Sequence, residues 1–166
     1  MSKSADTSWF PLFEFQDWTY QAYLLLPTPA EDAAAAGGAV SARKWSRGQL
    51  SCGQAFTAPD GYTLTGTLSF PGAQLAVAVK GALGRGDSPA TFIATGTGIG
   101  EPLKGMVSEL TGWVFPELPV ANGAARVLRI QGSIRAVRGT DANPTIDPSG
   151  MPLGTVGAFV ISRTAS

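Results

Sequence analysis

Glycine and proline divide this chain more than any other feature does: 21 glycines and 12 prolines fall at short intervals along 166 residues. The stretches between them have strand length and are rich in β-branched and aromatic residues. Residues 62–70 are the plainest. Tyr62, Leu64, Leu68 and Phe70 share one parity, and Thr63, Thr65, Thr67 and Ser69 share the other. That is the period of a half-buried strand, and Pro71-Gly72 turns the chain after it. Residues 74–83 alternate large with small without a strongly polar face, so both faces are expected to be covered. Further strand segments fall at 9–26, 44–58, 90–98, 103–115, 124–139 and 153–162. About eight strands joined mainly by short turns predict an all-β fold, a single antiparallel up-and-down barrel. Glycines within the strands, such as Gly66, Gly96 and Gly132, suit the coiling that closure requires.

The length suits one domain over residues 1–166. Residues 1–8 read as a flexible N-terminus, 28–42 as an alanine- and glycine-rich loop or short helix, and 140–152 as a long loop. Loops of that length serve as lids or binding loops, or as mobile connectors. Charged residues make up 14% of the chain, against about 25% in typical domains. A surface this poor in charge is expected to be covered again, by homo-oligomerisation or by a ligand. Twelve acidic and twelve basic residues cancel, and no basic run exceeds Arg43-Lys44, so no nucleic-acid partner is expected. The polar start lacks a signal-peptide core, and the apolar runs are too short to span a bilayer. A cytoplasmic location without a membrane partner is the expectation.

The chain has no histidine. A Ser-His-Asp triad, a Cys-His pair and histidine-ligated zinc are therefore excluded. Cys52 is the one cysteine and reads as a small buried hydrophobe. No metal site and no cofactor are expected. The chemistry left belongs to carboxylates, arginines, tyrosines and backbone donors. Glu109 shares its strand parity with Val107, Thr111, Trp113 and Phe115. On such a face a carboxylate is either a structural ion pair or an acid or base inside a ligand cavity. Arg129 is expected directly opposite it: a hairpin turn centred near Pro119 pairs Glu109 with Arg129 and Val107 with Gln131. An arginine there can orient an enolate or carboxylate, or simply be a solvated strand residue. Glu109 and Arg129 are the candidate catalytic pair. Tyr20, Tyr62, Trp113 and Phe115 are the candidate ligand-binding wall.

Thr95-Gly96-Thr97-Gly98, followed by Gly105, resembles the Gly-Thr-Gly…Gly signature near the end of the barrel in allene oxide cyclase-like and dirigent-like proteins, and lipocalin-like barrels show similar spacing. Trp113-Val-Phe-Pro116 and the long loop after Gly139 match no part of that pattern. The resemblance implies an eight-stranded, often oligomeric barrel with an apolar cavity. It also implies an activity that steers cyclisation or coupling of a reactive hydrophobic intermediate by holding its conformation. No catalytic residue carries over, since the matching positions are glycines and Thr97. Three functions follow as alternatives: a cofactor-free isomerase or cyclase, a non-catalytic carrier or sensor of an apolar ligand, and a structural subunit that self-assembles.

Overall fold

In a computed structural model, residues 5–6, 10, 13–27, 40–116 and 127–164 are described. Ten strands follow in order: β1 (Ala5–Asp6), β2 (Asp17–Pro27), β3 (Val40–Ala58), β4 (Gly61–Phe70), β5 (Ala73–Ala82), β6 (Gly84–Arg85), β7 (Thr91–Gly98), β8 (Val107–Pro116), β9 (Val127–Arg138) and β10 (Val156–Thr164). Eight of them close into an antiparallel barrel in the order β10-β2-β3-β4-β5-β7-β8-β9. Neighbours in the barrel are neighbours in the chain, apart from the small β6, so it is an up-and-down barrel as the alternation predicts. β10 closes it, pairing with β9 over residues 156–164 and with β2 over residues 157–162. The described residues contain no α-helix.

Alternation sends Leu64 and Leu68 of β4 and Leu75, Val77 and Val79 of β5 into the core. The outer positions of β5, Gln74, Ala76, Ala78 and Lys80, face solvent in the single chain, so its second face is not covered within the fold. Several boundaries differ from expectation: β2 starts at Asp17 rather than at 9, β8 at Val107 rather than at 103, and β10 at Val156 rather than at 153. Ala5 and Asp6 lie within the N-terminus expected to be flexible, yet they pair as β1 with Gly84 and Arg85 in a two-stranded sheet beside the barrel order. Strand β3 begins at Val40, inside the expected 28–42 loop; residues 28–39 lie outside the described residues.

The two barrel ends are built differently. At one end the chain ahead of β2 turns inward instead of continuing as strand. Residues 13–15 form a turn, and the strand starts only at Asp17. The β3–β4 pairing slips between Cys52 and Ala55, which releases backbone groups that hold this segment. Phe15 N donates to Gly53 O at 3.2 Å, Cys52 N to Gln16 O at 2.9 Å, and Ala55 N to Glu14 Oε1 at 3.1 Å. Phe13 is thereby driven completely inside. Its ring centroid lies 5.0 Å from that of Trp18, 6.3 Å from Phe92 and 6.5 Å from Tyr62. From Phe92 the rings continue to Phe159 at 6.0 Å, to Tyr20 at 6.4 Å and on to Phe70 at 5.8 Å. This aromatic column fills the Phe13 end and runs out near the middle, at Tyr20. Truncating Phe13→Ala removes the plug, and denaturant unfolding is expected to show a loss of about 3–5 kcal/mol.

Candidate functional site

Beyond Tyr20 the interior is hollow. A cavity of about 480 Å³ opens at the end that carries the β4–β5, β7–β8 and β9–β10 connections. That volume lies within the range of small-molecule sites. Each wall traces to a local device. Tyr20 projects inward from β2 and stands opposite Gly48 of β3, a residue without a side chain to crowd it. Between Ala22 and Tyr23 the β2–β3 register shifts, and Trp45 is the extra residue. A bulge of this kind re-aims side chains on its strand, and Trp45 and Ser46, adjacent in sequence, both line the cavity. Phe70, Ala73 and Leu75 come from the β4–β5 hairpin, and Ile134 from β9.

The glycine signature at 95–105 builds the next wall. Gly98 ends β7 where a Cβ would come within 1.7 Å of Leu103 O, and Gly105 has φ +84°. Only glycine fits the first approach and adopts the second conformation without strain. The turn so formed presents Leu103 and Met106 to the cavity. The glycines of this motif thus shape a rim.

The 140–152 loop supplies the last wall. It is pinned to that rim: Asp141 N donates to Lys104 O at 2.8 Å, and Arg138 bonds both Gly105 O at 3.1 Å and Asp141 Oδ1 at 3.0 Å. An isolated bridge joins Ile146 to Pro152 across the loop. Between those two residues the loop delivers Asp147, Pro148 and Ser149 to the cavity.

Two polar atoms in this wall lack partners. Asp147 is only 4% exposed. Its Oδ1 accepts from Ser149 N at 2.7 Å and from Ser149 Oγ, while its Oδ2 has no hydrogen-bond partner. The Tyr20 hydroxyl is fully buried and also without a hydrogen-bond partner. Burial pushes the Tyr20 phenol up to about 12. The Ser46 side chain pulls the other way, and the Asp147 charge adds to the rise. Both atoms are sealed within the wall, with essentially no accessible surface toward the cavity.

The expected site residues divide. Tyr20 lies in the cavity wall. Tyr62 points inward at the plugged end, where its hydroxyl donates to Thr91 O at 2.7 Å. Trp113 and Phe115 point outward; Ser108, Leu110 and Val114 are the inward residues of β8. Both faces of β8 are apolar, so periodicity alone cannot choose between them. The choice falls to space: Phe92, Phe159 and Tyr20 already occupy the interior, and the smaller face turns in.

The Glu109–Arg129 pairing is corrected. Glu109 stands opposite Arg135, and Arg129 stands opposite Phe115. Arg135 Nε and a terminal guanidinium nitrogen donate to Glu109 Oε2 at 3.0 and 2.8 Å, on the outer face of the barrel. Val107 likewise faces Arg138 across a bulge, not Gln131. The register between β8 and β9 is thus shifted by six residues from the one that a turn centred near Pro119 requires, and the connection between them lies outside the described residues. Glu109 and Arg129 are both remote from the cavity lining. The reading missed Asp147, Ser46 and Trp45: one is a loop acid among several, and the others depend on a bulge.

Cys52 is buried, and burial pushes its thiol up to about 12, with the Asp17 carboxylate adding to the rise. Tyr62 is raised in the same direction by burial. Among the described residues no cluster of three histidine, cysteine or acidic side chains could hold a metal ion, and no helix is long and apolar enough to cross a membrane.

These raised values set a pH dependence. The folded state holds the thiol and phenols neutral, whereas the unfolded chain ionises them from about pH 9 to 10. The unfolded state then binds fewer protons, so the stabilisation is complete below those values and is lost as pH climbs toward 12. Denaturant unfolding is expected to show this fall between pH 9 and 12. Tyr20→Phe should make the decline shallower by on the order of 2 kcal/mol at pH 12. Searches of protein-family models, of curated proteins and of solved structures each found no match to this chain.

Proposed function

We propose that this barrel binds an apolar small molecule in the cavity at its open end. The observation that carries this reading is the cavity itself: about 480 Å³ at one end of the barrel, lined largely by apolar side chains such as Trp45, Phe70, Leu75, Met106 and Ile134, within the size range of small-molecule sites. The allene oxide cyclase-like and dirigent-like resemblance supplies a catalytic version of the same reading, in which the walls hold a reactive intermediate in one conformation. Glu109 and Arg129 are not its reacting groups, because they do not line the cavity.

The test is titration with N-phenyl-1-naphthylamine, a neutral apolar probe whose fluorescence rises on leaving water. One probe per barrel is expected, with saturable enhancement. Ala73→Trp, which fills the opening, should abolish it, and Glu109→Gln should leave it unchanged. Equal enhancement in the Ala73→Trp protein would place the probe elsewhere and end the proposal.

A second reading, self-association, is favoured by Ile93 and Trp113 on adjacent strands, which are 51% and 47% exposed on the outer face. Light scattering at micromolar concentration is expected to report a dimer or larger, and Trp113→Glu to shift it toward monomer. A wild-type monomer would remove this reading.

A further inference from the structure

One wall of the cavity is bonded to itself and not to the barrel. We propose that residues 146–151 form a lid that lifts from the barrel mouth as one piece and admits ligand to the cavity. The gating role rests on the cavity being a ligand site; the motion does not.

The segment is closed on itself. Asp147 N donates to Met151 O at 3.0 Å, Gly150 N to Asp147 O at 2.8 Å and Ser149 N to Asp147 Oδ1 at 2.7 Å, inside the Ile146–Pro152 bridge. Among the described residues, every hydrogen bond of residues 146–151 stays within that stretch, and none ties it to a barrel strand. Its branched hydrophobe, Ile146, is 42% exposed and so does not anchor it in the core. The two ends, by contrast, are fixed. Arg138 and Asp141 hold the incoming chain to the β7–β8 turn, and Gly154 N donates to Ala136 O at 2.9 Å on the outgoing side. A unit bonded internally, free of bonds to what it covers and pinned at both ends has the construction of a hinged loop.

Charge opposes its closure. Seated, the segment walls the cavity with Asp147, Pro148 and Ser149 and leaves Asp147 4% exposed. Asp147 Oδ2 is then cut off from water with no bond in exchange, and the Tyr20 hydroxyl is sealed in the same state. Ion pairs among the described residues join Arg85 to Asp60, Arg135 to Glu109 and Arg138 to Asp141, and none reaches Asp147. Sealing a carboxylate oxygen without a partner costs free energy. Lifting the segment returns that oxygen to water and breaks none of the segment's own hydrogen bonds. The open state therefore lies close to the closed one, and a ligand that packs against the seated segment favours closure.

The experiment reads the opening without a ligand. Ser108 lines the cavity from β8 and is 1% exposed. The full chain carrying Ser108→Cys is alkylated with N-ethylmaleimide at neutral pH, and peptide mass spectrometry separates the introduced thiol from Cys52, which is buried in the plugged half and reports unfolding of the barrel. Lid opening exposes little surface, so the introduced thiol should react at a rate that stays flat up to about 1 M urea, while the Cys52 rate climbs. Adding Asp147→Asn, which keeps an oxygen for Ser149 and removes the charge, should slow the introduced thiol about tenfold. Tyr20→Phe removes the other sealed group and should slow it about threefold; it decides the matter if circular dichroism shows that Asp147→Asn does not fold. A urea dependence equal to that of Cys52 overturns the lid, because the cavity then opens only with the whole barrel. A flat rate that the substitution does not slow also overturns it, because the reagent then passes a stationary segment. If the lid holds and N-phenyl-1-naphthylamine still gives no enhancement, the cavity reading falls, and with it the gating role alone.

Discussion

Strand β10 is hydrogen-bonded on both sides, to β9 and to β2, and everything else in the molecule answers to that closure. A closed sheet has no edge and one enclosed interior. Every second side chain of eight strands must share that space. The interior is then a problem of volume, and each large ring admitted from one strand requires a small residue from another. Gly48 opposite Tyr20, and Gly112 and Ser108 on the inward face of β8, are the small members of such exchanges.

The solution here is asymmetric. The segment ahead of β2 folds back, places Phe13 inside, and starts a column of rings that runs to Tyr20 and Phe70. That half is packed solid. The other half is walled by shorter, more widely spaced groups and by loops, and it stays hollow. One closed sheet therefore yields a rigid base and an accessible mouth, a division of labour that suits a ligand site held on a stiff scaffold. Polar groups reach the mouth from β2 (Tyr20), from the bulge in β3 (Ser46), from β8 (Ser108) and from the 140–152 loop. The loop's position is itself secured by polar contacts between Asp141, Arg138 and the β7–β8 turn, a network that ties two connections together.

The architecture was legible because alternation and turn residues are local. Tyr62, Leu64 and Leu68 of β4 announce their buried face within a few positions, and Pro71-Gly72 announces the turn. Glu109 shows where that legibility stops. Its strand has two apolar faces, and its partner depends on the centre of a hairpin ten residues away, so a small error in that centre exchanged Arg135 for Arg129. Trp113 and Phe115 were assigned inward on hydrophobicity, although hydrophobicity does not rank two apolar faces. Of the expected ligand wall, Tyr20 alone borders the cavity. Asp147 was one acid among many in turns and loops, and nothing adjacent to it in sequence marks it as buried.

The sequence by itself determined that this chain is an eight-stranded antiparallel barrel and that its chemistry excludes histidine, because period, turn propensity and composition are properties of neighbouring residues. Tertiary structure decided which end is plugged, which face of β8 turns inward, and that Tyr20 and Asp147 meet at one cavity. Those outcomes depend on how volumes share a closed interior and on where bulges and loops return the chain, and both are settled between residues far apart in sequence.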